Sequence, residues 1–152
     1  MKYLISQSLK YNNGVKCNSI DMEYIHYFQK MGLELIPVDN MNESVENHFN
    51  DDIQGVILSG SGDIEKITRS EFKKENLSFS LERDCIENKL IEHALSHSFP
   101  LIGICHGMQK INDYLGGDIQ PYFHCKKDTF SEQGIYHDIL GLDNLIGKDK
   151  IY

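Results

Sequence analysis

Apolar residues fall along this chain in two alternating rhythms, short runs and helical stripes. Tyr3 to Ser6 is a brief apolar run that predicts a first strand. From Asp21 to Met31 the spacing changes to that of a helix. Tyr24, Ile25, Phe28 and Met31 fall on one face, Ser19 or Asp21 can cap it, and Gly32 suits its end. Leu33 to Val38 predicts a second strand, Glu43 to Phe49 a short helix, and Ile53 to Leu58 a third strand. That strand enters a glycine-rich stretch at Ser59. Residues 65 to 79 are polar and predict a loop. Ser80 then caps a helix running to about Ser96, with Leu81, Cys85, Leu90, Ala94 and Leu95 on its buried side. After Pro100, Leu101 to Ile104 predicts another strand, and His106 to Leu115 a helix directly behind it. Gly117 to Phe123 suits an edge strand, and Phe130 to Lys150 is loop-like. Strands alternating with helices through short links imply an α/β fold, a mostly parallel sheet with helices on both faces. Ligands of such sheets sit at the carboxyl ends of the strands. Ser59 to Asp63 and Cys105 both lie at such ends.

The densest chemistry is at residues 103 to 107, Gly-Ile-Cys-His-Gly. The pattern Gly-x-Cys-x-Gly is a cysteine version of the nucleophile elbow, a strained strand-to-helix turn that lifts one side chain above a sheet. Glycines are needed where the turn leaves no room for β-carbons. A helix N-terminus also favours the thiolate, the reactive form of cysteine. The competing reading is a buried structural thiol.

Charge narrows the partners. The chain has 152 residues with 15 Lys and Arg against 23 Asp and Glu, a formal charge of −8. That argues against nucleic acid or an anionic membrane as partner. No apolar run approaches a membrane span and no signal-peptide pattern opens the chain, so a cytoplasmic location is expected. Cys17, Cys85, Cys105 and Cys125 show no paired spacing and suit reduced thiols. A metal held by Cys105-His106 with His124-Cys125 lacks the usual ligand spacing. No cofactor is implied. The length suits one domain over residues 1–152.

The segment Gly103-Ile104-Cys105-His106-Gly107-Met108-Gln109 resembles the active-site segment of class I glutamine amidotransferases. It is most similar to their hydrolytic branch, the γ-glutamyl hydrolase and γ-glutamyl-GABA hydrolase group of peptidase family C26. Val56 to Ile64 resembles that branch's oxyanion strand and loop, and Arg83-Asp84-x-x-Glu87 the start of its next helix. Ile111-Asn112 and Gly116-Gly117 fit the same pattern, and Ser6-Gln7 with Asp21 to Val38 fits it more loosely.

The resemblance implies a flavodoxin-like doubly wound fold and a cysteine-dependent hydrolase of a γ-glutamyl amide. Glutamate would be released through a thioester on Cys105. Acyl transfer needs a nucleophile and donors for the developing oxyanion. The His106 N–H at the helix start is one natural donor, and the resemblance places the second in Gly60-Ser61. Ser59 to Gly62 otherwise reads as a flexible loop. Gln109, one turn after Cys105, would contact the glutamyl group or face solvent. Arg83 and Glu87 would be an ordinary surface pair or a support near the site. His137 resembles a substrate-binding position. His26, His93 and His97 read as surface residues of helices.

The family's base is a late His oriented by a Glu, and no His-x-Glu occurs here. The chain stops at Lys150-Ile151-Tyr152, in what reads as the middle of a strand. A C-terminally incomplete domain, itself inactive in turnover, is therefore expected. The substrate would be a γ-glutamyl nucleotide amidate of surface-polysaccharide synthesis or a γ-glutamyl polyamine-pathway amide. The rivals are a glutaminase subunit delivering ammonia to a synthetase and a non-catalytic binding domain. A homodimer or a synthetase is the partner these readings allow.

Overall fold

The computed structural model describes residues 1–41, 44–62, 79–117 and 119. Its elements run β1 (Lys2–Ile5), β2 (Ser8–Asn12), β3 (Val15–Ser19), α1 (Met22–Lys30), β4 (Glu34–Pro37), a 3-10 turn (Val45–His48), β5 (Ile53–Leu58), α2 (Leu81–Ser96), β6 (Leu101–Gly103) and α3 (His106–Tyr114). Four strands form one sheet in the order β4-β1-β5-β6, and every pairing in it is parallel. The chain leaves β1 for one neighbour, β4, and returns to the other, β5. The crevice between β1 and β5 is therefore the switch point where such sheets bind ligands. This is the α/β, flavodoxin-like fold of class I glutamine amidotransferases.

Successive side chains of a strand point to opposite faces, and that alternation divides the core in two. Leu4, Val56 and Leu58 pack with Ile86, Leu90, Ile91 and Ala94 of α2 on one face. Ile5 and Ile57 pack with Phe28 of α1 and Leu33 on the other, with Tyr24 and Ile104 against them. β5 is buried along nearly its whole length, as befits a strand covered on both faces. Ser80 caps α2, its side chain accepting from the Arg83 amide. Among the described residues no helix is long and apolar enough to cross a membrane.

Several expectations need correction. The pair β2–β3 is an antiparallel hairpin that the apolar pattern does not predict. Its turn is Asn13-Gly14, with φ of 50° and 81°, the two positive values that a tight hairpin turn requires. The short helix expected at Glu43 to Phe49 is a single 3-10 turn. Met31 is exposed rather than packed, since it lies past the last turn of α1. On α2 the buried side is rotated from the one expected. Leu81, Cys85 and Leu95 are exposed, and Arg83 and Glu87 are buried instead. The residue 65–79 loop, the Gly117 to Phe123 strand, the Phe130 to Lys150 loop, His124-Cys125 and His137 fall wholly or largely outside the described residues.

Candidate active site

The strand-to-helix turn expected at Cys105 is present. β6 ends at Gly103, α3 begins at His106, and Cys105 stands exposed between them with φ 51° and ψ −106°. Positive φ on a residue with a β-carbon is strained by roughly 1–3 kcal/mol and persists only where the surroundings enforce it. Close approach of backbone to backbone enforces it here. The Ile104 amide donates to the Leu58 carbonyl at 3.0 Å, which pins β6 to β5 up to the turn. A β-carbon on Gly107 would lie 2.2 Å from that same carbonyl oxygen, and one on Gly103 would lie 2.6 Å from the Met108 nitrogen. Both glycines are therefore spaces through which the helix reaches the sheet. Gly107→Ala is expected to lower stability by roughly 1–3 kcal/mol, the usual cost of forcing atoms into a packed core. Thermal unfolding checks this, and an unchanged midpoint would refute so close a contact.

The first turn of α3 holds free donors. The Gly107 and Gln109 amides donate to the carbonyls of Ile104 and Cys105. Among the described residues the His106 amide has no protein acceptor, as a helix N-terminus predicts. The Gln109 side chain is half-buried one turn on from Cys105.

Across the switch point, Ser59, Gly60 and Ser61 follow β5. A β-carbon on Gly60 would sit 3.5 Å from the Cys105 Cβ and 2.7 Å from the Tyr24 hydroxyl oxygen. Gly60 is therefore beside the thiol. Its amide donates to Tyr24 Oη at 2.8 Å. Ser61 has a positive φ of 74°.

Arg83 holds this loop by its carbonyls. Nη2 donates to the Ser59 carbonyl at 2.7 Å, to Ser59 Oγ at 3.2 Å and to the Gly60 carbonyl at 3.2 Å, and Nη1 donates to the Ser61 carbonyl. Arg83 Nε donates to Glu87 Oε1 at 2.8 Å. Arg83 is 4% exposed and Glu87 0%, so this is a buried ion pair. Glu87 also accepts from Ser6 Oγ at 2.8 Å and lies 2.7 Å from His106 Nε2. Ser6 Oγ in turn accepts from the Ser59 amide at 3.0 Å. Burial alone would raise the Glu87 carboxyl. The His106 hydrogen bond, the Arg83 and His106 charges and the Ser6 hydroxyl outweigh it and hold the group below the usual carboxylate range.

The end of β1 and the start of α3 thus meet the Glu87 carboxylate of α2, and the end of β5 joins them through Ser6 and Arg83. His106 contributes its backbone to the elbow and its imidazole to this network. His106 Nδ1 is buried without a partner among the described residues. Nε2 faces the Glu87 carboxylate, which can only accept, so Nε2 is the nitrogen that donates there. Beside the network a small cleft is lined by Ser8 and Leu9 of the hairpin, Ser61, Ser80, Arg83 and His106.

Cys105, His106, Gly60, Ser61, Gln109 and Arg83 therefore all lie at the carboxyl end of the sheet. His137 is outside the described residues. Sequence reasoning missed one participant, Tyr24, and left Glu87 between a surface pair and a support. Tyr24 has the spacing of a core residue, and nothing local reveals where its hydroxyl goes. Glu87 carries a visible signal, its spacing from Arg83, but that spacing equally suits an exposed pair. Of the histidines read as surface residues, His26 and His97 are exposed. His93 is half-buried, stacked on Phe49 with centroids 3.8 Å apart.

An exposed cysteine on a glycine-flanked elbow, above a parallel sheet and beside a loop that ends the central strand, defines an amidotransferase-like α/β protein. The chain belongs to the family Peptidase C26, whose profile matches residues 3–137. Over 69 residues it is 39% identical to the gamma-glutamyl-CDP-amidate hydrolase of Campylobacter jejuni, covering 45% of this chain and 31% of that protein. Over 97 residues it is 30% identical to the glutamine amidotransferase-like protein YvdE of Lactococcus lactis, covering 62% of this chain and 40% of that one. Protein NtpR of Enterococcus hirae is 36% identical over 70 residues, 45% of this chain and 29% of its own. The chain thus spans well under half the length of these curated relatives.

Proposed function

We propose that this chain carries the nucleophile half of a cysteine-dependent hydrolase of γ-glutamyl amides, with Cys105 as the nucleophile. The observation that carries the reading is Cys105 itself, exposed at φ 51° where Gly103 and Gly107 let helix and sheet close around it. Family membership and the name of the Campylobacter jejuni relative support a γ-glutamyl amide as substrate class.

The thiolate of Cys105 attacks the γ-carbonyl carbon. A C–S bond forms and the carbonyl π pair moves onto oxygen. That oxyanion is met by the His106 N–H and a donor at the Gly60-Ser61 loop, which Arg83 holds by its carbonyls, with Gln109 at the glutamyl end. The pair returns as the C–N bond breaks, and the leaving nitrogen takes a proton from solvent. A γ-glutamyl thioester remains on Cys105, and water releases glutamate from it. The last step calls for a general base, which contributes typically about 10²–10⁴-fold. The His106 imidazole is committed to Glu87, so the described residues equip acylation better than deacylation. The group attached to the glutamyl unit is a nucleotide amidate or a polyamine-type amide, handled in the cytoplasm.

Incubation with γ-glutamyl p-nitroanilide tests the proposal. One equivalent of p-nitroaniline should appear as a burst, with a glutamyl mass added to the peptide containing Cys105. No burst, or an adduct on Cys17, Cys85 or Cys125, would overturn it. Ammonia from L-glutamine in place of anilide release would point to a glutaminase.

A further inference from the structure

We propose that the Tyr24 hydroxyl is a catalytic oxyanion donor, acting in place of the Gly60 amide. The inference rests on the acyl-transfer reading above and adds to it a residue from a different part of the chain. Tyr24 lies on α1, whose other apolar residues serve the core, yet its hydroxyl reaches the loop beside the thiol. The Gly60 amide donates to Tyr24 Oη at 2.8 Å. That amide is therefore engaged within the protein. A hydroxyl accepts and donates at once, and among the described residues Tyr24 Oη donates its own hydrogen to no protein group.

Position supports the role. The same point on Gly60, where a β-carbon would stand, is 2.7 Å from Tyr24 Oη and 3.5 Å from Cys105 Cβ. Any side chain there would separate the phenol from the thiol. Tyr24 is half-buried against Ile5, Phe28, Leu33 and Ile57, so its ring is held by packing and only its tip faces the loop. Arg83 fixes the far side of that loop through the Ser59, Gly60 and Ser61 carbonyls. The Gly60 amide thus polarises the phenol, and the phenol presents one O–H to the site.

During attack, the carbonyl π pair moves to oxygen as the C–S bond forms. Tyr24 donates a hydrogen bond to that oxygen and keeps its proton. When the pair returns and the C–N bond breaks, the leaving nitrogen takes its proton from water. No group is consumed. The His106 amide supplies the second donor.

The test compares the whole chain with Tyr24→Phe, which keeps the ring and removes the hydroxyl. With γ-glutamyl p-nitroanilide, the burst rate constant at saturating substrate should fall about 10²-fold, the scale seen when one oxyanion donor is removed. The half-saturating concentration should stay unchanged. Alkylation of Cys105 by iodoacetamide should also keep its rate, because displacement of iodide develops no oxyanion. A burst as fast as wild type, or faster, overturns the proposal and returns the role to the Gly60 amide, uncovered by the substitution. Equal losses in the burst and in alkylation overturn it too, since they would mean a displaced thiol. So does a loss confined to the half-saturating concentration. If the wild-type chain itself gives no burst, the acyl-transfer reading fails, and that failure is visible before any variant is compared.

Discussion

Replacing Cys105 by alanine is expected to abolish both the anilide burst and the glutamyl adduct, with the fold intact. A covalent route without its nucleophile leaves only what binding and oxyanion contacts supply. Losses of about 10⁴-fold or more are the scale for nucleophile removal in acyl-transfer enzymes. Little packing is lost, because Cys105 is exposed. Alanine at φ 51° meets the same backbone strain as cysteine, so stability should hardly change. Anilide release at 400 nm, intact mass and thermal unfolding of the same preparation decide it. An unaltered burst in Cys105→Ala would transfer the role to another residue.

The other large effect is one of stability. Glu87→Ala is expected to cost about 3–5 kcal/mol, the usual result of removing one partner of a buried pair. It takes the counter-charge from the buried Arg83 guanidinium and the shared acceptor from the Ser6 hydroxyl and His106 Nε2 at once. The unfolding midpoint should fall on the order of 10 °C. A drop of a degree or two would mean that water replaces the carboxylate. The same group sets an acid limit. Its folded carboxyl lies below its unfolded value, so the folded state holds the charge more tightly. That stabilisation is complete above the unfolded value of about 4.3 and is lost as pH falls through the folded one. Unfolding midpoints should therefore decline below about pH 4.5 in the wild type, and Glu87→Gln should flatten the decline.

Much of the framework is legible in the sequence because its signals are local. Ser80 caps α2 where expected, β5 has the predicted bounds, and the glycines of the elbow announce the turn they permit. The β2–β3 hairpin is legible too, through Asn13-Gly14, but its strands are largely exposed and give no apolar run to notice. The burial of Arg83 and Glu87 is a different matter. Two charges one turn apart belong on a surface unless other segments bring donors and acceptors to them. Those partners are Ser6, Ser59 and His106, each from a separate element. No window of sequence contains them together. Tyr24 fails to show for the same reason, since its hydrogen-bond partner lies 36 residues away.

The buried network around Glu87, which joins the ends of β1 and β5 to α2 and α3, has a consequence for motion. An opening that freed the thiol's surroundings would have to break the ties of Glu87 to Ser6, Arg83 and His106 together, so fraying one element cannot do it. Local fluctuation is confined to segments that hold few such ties. The elbow and its facing loop should then open only when the sheet opens. The hydrogen-bonded amide protons of Ile104 and Ser59 would exchange with solvent at the rate of global unfolding, and a protease would find no early cut beside the reactive group.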